Sequence, residues 1–404
     1  MPKKYIYILI GIIILALATL LVLFLMKSDT PKTGGFFSLP FGDAPEGGEI
    51  SIPTNPSNDT QTPATNINMG AVRQISASPV SGATIITSSS TSVIRYVDRG
   101  TGHVFDYDIE SGLNKRVSNT TIPKAHEIIW SADGSLFVMR LLSGSLIKDF
   151  SANLVPSATS TVEGELDLTG TYLVGQKYSI VASPDGKKIF YTVPNTGQSV
   201  VGVISSFDGS GPSTIWQFPT KEWRIAWPTL ENLFLTTKAS SAERGYSYLL
   251  DAKTGEMTGV LSRITGLTAN PSPDLKYILY SEQNKDRTNL FLMELASGQT
   301  NPVGPSTLAE KCVWSKNERL TVYCGASGAL PAGLPDSWYK GLVSFNDEIW
   351  KINFETGETK LLANKDAFGA AIDAYNLETS EDGKVLIFQN KKNLTLWAVM
   401  LGIQ

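Results

Sequence analysis

The 404-residue chain holds only two cysteines and two histidines, and this scarcity removes several chemistries at once. Two sulfurs with no local histidine cannot complete a four-ligand zinc site, and they are too few for a disulfide-built scaffold. His103 and His126 stand apart in sequence and are given no catalytic or ligating role. The HExxH, Walker A, dinucleotide-binding glycine and calcium-loop patterns are missing. Ser327 sits in GASGA rather than GxSxG, and no room for a hydrolase domain is expected after the last repeat. Positive charge is also short: 34 Lys plus Arg against 38 Asp plus Glu give a net charge of −4, without a basic stripe, so nucleic acid is not an expected partner. Long amphipathic helical patterns are lacking too. Asp106, Asp108, Asp347 and Glu348 could pair in space as a glycosidase requires, but strand-flanking acids are more commonly solvated surface groups. No catalytic residue, metal or cofactor is assigned.

One apolar run is present, and it is long. Residues 5–26, YIYILIGIIILALATLLVLFLM, follow Lys3 and Lys4 and are long enough as a helix to cross a bilayer core of about 30 Å. The run exceeds the apolar stretch of a signal peptide, and Ala16 and Ala18 lie in its middle, so it is read as an uncleaved anchor. No cysteine follows it to serve as a lipoprotein anchor. Lys3, Lys4 and the amino terminus favour a short cytoplasmic tip, while Lys27 and Lys32 beyond the run are partly matched by Asp29. The expected arrangement is a cytoplasmic tip and transmembrane anchor (1–26), a flexible linker rich in Pro, Ser, Thr and Asn (27–66), and a folded part (67–404). That part should lie on the extracytoplasmic side of a single-pass plasma-membrane protein. Within the linker, FFSLPF (36–41) is either a docking patch or a sticky stretch of stalk.

Past residue 70, short segments dense in Val, Ile, Leu, Tyr, Phe and Trp alternate with polar turns. HEIIW (126–130), KKIFYTV (187–193), KYILYSE (276–282) and KVLIFQN (384–390) read as strands. Turns recur as SADG at 131, SPDG at 183, WPTLEN at 227, SPDLK at 272, SKNE at 315 and SEDG at 380, with SSSTS (88–92) fitting the first place. Most steps between them are about 42–52 residues and the last is about 65, the size of one four-stranded propeller blade. A second turn family, ESG (110–112), KTG (253–255), ASG (296–298) and ETG (355–357), supports the register. The expected fold is all-β: a seven-bladed β-propeller preceded by a single N-terminal transmembrane helix and a flexible linker.

These marks resemble the WD40-like (PD40) repeat of the TolB family and of the propeller domains of some peptidases. The matching pieces are SPDG followed by KKIFYTV, SEDG followed by KVLIF, and SPDLKYILYSE with NLFLMELASG. The resemblance implies a propeller and specifies no single function, and the expected lack of room for a hydrolase domain after the last repeat sets the chain apart from those peptidases. The paired Gly-His and Trp-Asp marks of true WD repeats are lacking, since Gly102-His103 stands alone and no Trp-Asp occurs.

The last unit supplies three strands, and AVRQIS (71–76) is expected to pair as its fourth. Cys312 and Cys324 flank the sixth turn symmetrically and are expected to form a disulfide across a hairpin, the other reading being two buried thiols. The long loop GASGALPAGLPDSWYKGLVSFNDE (325–348) carries the candidate partner-binding residues Trp338, Tyr339 and Phe345. Alternatively Trp338 and Phe345 fold down to plug the channel or cover a neighbouring blade. The expected role is a protein–protein interaction or scaffold module that binds another envelope or surface protein. An extracytoplasmic enzyme or a small-ligand sensor is the alternative.

Overall fold

In the computed structural model, residues 72–402 are described, except 88–91, 159, 161–163, 198, 285–286 and 329. The anchor run 5–26, the linker 27–66 with FFSLPF, residue 71 of AVRQIS and most of the SSSTS turn lie outside the described residues. Among those residues no helix is long and apolar enough to cross a membrane.

Strands account for nearly all regular structure and pair into seven four-stranded antiparallel sheets. Within each sheet the strands a, b, c and d follow one another in sequence, save in the seventh. There the order is Val72–Gln74, Leu396–Met400, Val385–Asn390, Ala374–Thr379, so the first described strand supplies the outer edge of the last blade. Val72 pairs with Val399 and Gln74 with Trp397, and the Ile75 amide continues the ladder by donating to Leu396 O at 2.8 Å. The expected closure of the ring is therefore present, and it hides an edge that would otherwise pair with other chains.

Alternation along the b strands explains why the sheets stack. All six residues of Val385–Asn390 are buried. Val385 and Ile387 pack toward blade 1, while Leu386 and Phe388 pack toward blade 6. Each strand thus feeds two cores. Seven apolar clusters fill the seven blade interfaces. Each fully buried large aliphatic side chain contributes about 1.5–3 kcal/mol.

Because neighbouring strands are antiparallel, the a–b and c–d turns share one face of the ring, here the turn face. The b–c and d–a connections share the other, the loop face. Ser183 shows how an a–b turn is made: its hydroxyl donates to Asp185 Oδ1 at 2.6 Å and accepts from the Lys188 amide at 2.9 Å. Ser131, Ser272 and Ser380 repeat the pattern with Asp133, Asp274 and Asp382. Gly186 closes its turn at φ +68°, and a Cβ there would meet Ala132 N at 2.8 Å. Glycine is needed both for the left-handed backbone and for nesting against the preceding blade's turn.

The disulfide joins Cys312 and Cys324, which are direct partners in the a–b pairing of blade 6. The blade 6 insertion is shorter than its sequence suggested, since strand b runs to Ala326 and strand c begins at Glu348. It contains a one-turn helix, Asp336–Tyr339.

Candidate functional site

The channel ends differ. On the loop face, the blade 6 insertion folds over the ring as a cap. Its Leu334, Trp338 and Phe345 form an apolar cluster with Leu308, which precedes strand a of blade 6. Asp336 accepts a hydrogen bond from the Ser241 amide of blade 4, and the Tyr339 hydroxyl donates to Glu310, which also pairs with Arg224 of blade 4. At the other end Lys391 of blade 7 donates to Trp338 O at 2.7 Å. The cap therefore reaches from blade 7 to the channel-lining strand of blade 4.

Of the two expectations for Trp338 and Phe345, contact with a partner or folding down onto the ring, their burial favours the second. They are 4% and 3% exposed. The indole N–H of Trp338 donates to Asp373, and both rings cover the Lys311 ammonium. Apolar rings among glycines lower their free energy by burial when a charged group beneath them needs covering. Tyr339 is half-buried, and burial pushes its hydroxyl well above the usual tyrosine range, reinforced by the Glu310 carboxylate.

On the turn face the channel opens as a funnel of about 840 Å³. Trp130, Tyr277, Trp314, Lys316, Glu378 and Glu381 are among its walls, together with the Ser-x-Asp turns. Glu378 comes from the inner strand of blade 7, whose register shifts between Tyr375 and Glu378 and whose Asn376 adopts φ 50°. Such a bulge re-aims a side chain. Its Oε1 accepts from Thr84 Oγ1 at 3.1 Å and the Ile85 amide at 3.2 Å, and Lys316 Nζ lies 3.5 Å away. The recess pushes the Glu378 carboxyl up, and Lys316 only partly opposes this. Lys316 also pairs with Glu381 at 3.1 Å. The buried indole N–H of Trp130 has no partner among the described residues. Wall aromatics and a mixed-charge rim suit a peptide segment or a small polar ligand.

The residues weighed for chemistry do not converge. Asp106 is held by Arg95 through two 2.7 Å bonds, and Asp108 caps the Ser111 turn. Asp347 pairs with buried Lys311. His103 meets Thr121 at 2.9 Å, and His126 accepts from Arg99 at 2.7 Å. Both imidazoles are pulled below their usual range, first by burial and then by nearby arginines. Among the described residues no group of three or more His, Cys, Asp or Glu could hold a metal ion. Glu378 was missed because its position depends on the bulge, although its place just before SEDG marked it as the end of an inner strand.

No protein-family model and no curated protein matches the chain. Among solved structures it is similar to the tricorn protease, with 10% identity over 80% of this chain and a TM-score of 0.51. It is also similar to a puromycin-hydrolyzing peptidase of Mycobacterium tuberculosis, with 12% identity over 79% of this chain and a TM-score of 0.50. The chain spans 34% of the first and 52% of the second. TolB from Acinetobacter baumannii matches over 69% of this chain and 62% of its own, with 12% identity and a TM-score of 0.42. At these identities the likeness is one of fold. The shared element is the propeller.

Proposed function

We propose that this protein is a membrane-tethered, extracytoplasmic binding module that receives a segment of another envelope or surface protein in the turn-face funnel. The observation that carries the reading is the asymmetry of the channel. One end is covered by the chain's own cap, and the other is an open recess with aromatic walls and a mixed-charge rim. The apolar run 5–26 supplies the tether, and the 27–66 stalk supplies reach. Confinement near the membrane would raise the effective concentration of a partner held in the same surface layer.

The test is site-specific photo-crosslinking in native membranes, with the probe at Lys276 on the funnel rim or at Leu342 on the cap, which is 76% exposed. The proposal expects one protein to be captured through Lys276 and lost when Trp130 is replaced by alanine. Capture through Leu342 alone would reverse the assignment of faces. A small-ligand sensor is the second reading, favoured by the recessed carboxyl of Glu378. It expects a metabolite mixture to raise the melting temperature of the wild-type chain but not of Glu378→Gln.

A further inference from the structure

Beneath the cap lies a group that plays no part in the funnel. Lys311 ends a short 3-10 turn, Ala309–Lys311, one residue before the disulfide at Cys312. Its side chain is 1% exposed. The ammonium touches Asp347 Oδ2 at 2.7 Å, Asp373 Oδ1 at 2.6 Å and Ala374 O at 2.9 Å. Phe345 and Trp338 cover it, with ring centres at 4.7 and 5.0 Å. Asp347 and Asp373 are as deeply buried as the lysine.

Two carboxylates and one ammonium in an aromatic box form an unusual arrangement. Removing an ion pair from water is unfavourable, and condensing the two groups into an amide removes both charges. The Lys311 nitrogen is held against the Asp347 carboxyl, with a second carboxylate, that of Asp373, in reach of the same nitrogen. Fixed contact of this kind replaces the activation that two free groups would require. The remaining contacts sort the two acids. Asp347 Oδ2 accepts from the Ala374 amide at 2.8 Å, whereas its Oδ1 has no partner among the described residues. Asp373 accepts from Trp338 Nε1, Ser344 Oγ and the Phe345 amide.

We propose that Lys311 and Asp347 condense into an intramolecular amide, with Asp373 as the acid–base group. Lys311 Nζ bonds to Asp347 Cγ, and the bond from Cγ to Oδ1 breaks. Two of the three ammonium protons, relayed by Asp373, leave with Oδ1 as water; the third remains on the amide nitrogen, facing Ala374 O. Oδ2 becomes the amide oxygen and keeps the Ala374 N–H. Asp373 ends ionised, as it began, and no oxidant or co-reactant is consumed. The carboxyl properties agree with these roles. Burial pushes Asp347 up, toward the proton-bearing form. Burial acts the same way on Asp373, but Lys311 and the bonds from Trp338 and Phe345 hold it below the usual range. The bond would tie the lead-in of blade 6 to the foot of the cap, next to the disulfide, and fix the cap covalently in place.

Mass spectrometry of the purified full chain, after reduction, decides this. The expected mass is lower than that of the sequence by one water, and trypsin should fail to cut after Lys311. Fragmentation should then yield a branched peptide joining Lys311 to Asp347. Lys311→Arg and Asp373→Asn should each restore the full mass. A wild-type chain at full mass that trypsin cuts after Lys311 overturns the proposal, and this outcome depends on no variant folding. A cross-linked Asp373→Asn chain overturns the role given to Asp373.

Discussion

At the open mouth of the channel, four of the turns are shaped by a serine, an aspartate and usually a glycine within four residues, whereas the capped mouth depends on partners far apart in sequence. Lys311 meets Asp373 across 62 positions, and Trp338 meets Asp373 across 35. The turns are local devices repeated around a ring, so losing one leaves the others intact. The cap is a single assembly around Lys311, so losing its centre should release the whole insertion.

The sharpest way to break this comparison is to remove the lysine beneath the cap. Lys311→Met leaves Asp347 and Asp373 buried without their shared partner and should destabilise the protein by about 3–5 kcal/mol in urea unfolding. Lys276→Met, an exposed change on the funnel rim, should stay within about 0.5 kcal/mol. Replacing both Cys312 and Cys324 by alanine should lower stability by about 2–3 kcal/mol at most, because the loop they close is short. Gly186→Ala should reduce stability by about 1–2 kcal/mol from the left-handed backbone, with a further loss from contact with Ala132 N. Ser183→Ala should shift it by about 1 kcal/mol, since one turn loses its serine bonds.

The smallest effect concerns pH, and its sign differs between regions. Hydrogen bonds from Ser183 and the Lys187 amide hold the Asp185 carboxyl below its usual range. Its contribution is present above the unfolded value of about 3.9 and is lost as pH falls through the lower folded value. Glu378 is raised chiefly by burial, so its ionised form opposes folding at neutral pH, and that opposition fades as pH falls through the raised value. Glu378→Gln should therefore melt slightly higher than the wild type at pH 7, and the difference should shrink on acidification toward about pH 4.

The legibility of the sequence follows the same division. Seven blades, the Ser-x-Asp turns, the closing strand and the hairpin cysteines could be read because each is marked by residues adjacent in sequence or by a fixed repeat. Blade 4 was harder: Trp227 stands where other turns carry serine, and it is buried in the interface with blade 3. In blade 5, Leu275 takes the place of the turn glycine at φ 54°, which the pattern SPDLK does not explain. The aromatics of the cap were visible as residues, but their direction was not. Only the meeting of Lys311, Asp347 and Asp373 shows that Trp338 and Phe345 have a buried polar cluster to cover. The bulge that turns Glu378 into the funnel likewise has no local sequence mark.

The central claim is that a partner engages the turn face while the cap stays closed. Hydrogen–deuterium exchange on the full chain, with and without the partner captured through Lys276, tests it most directly. New protection should appear in the a–b turns around Ser131, Ser183 and Ser272, with residues 330–347 unchanged. Protection confined to the cap or to the b–c loops would contradict the account.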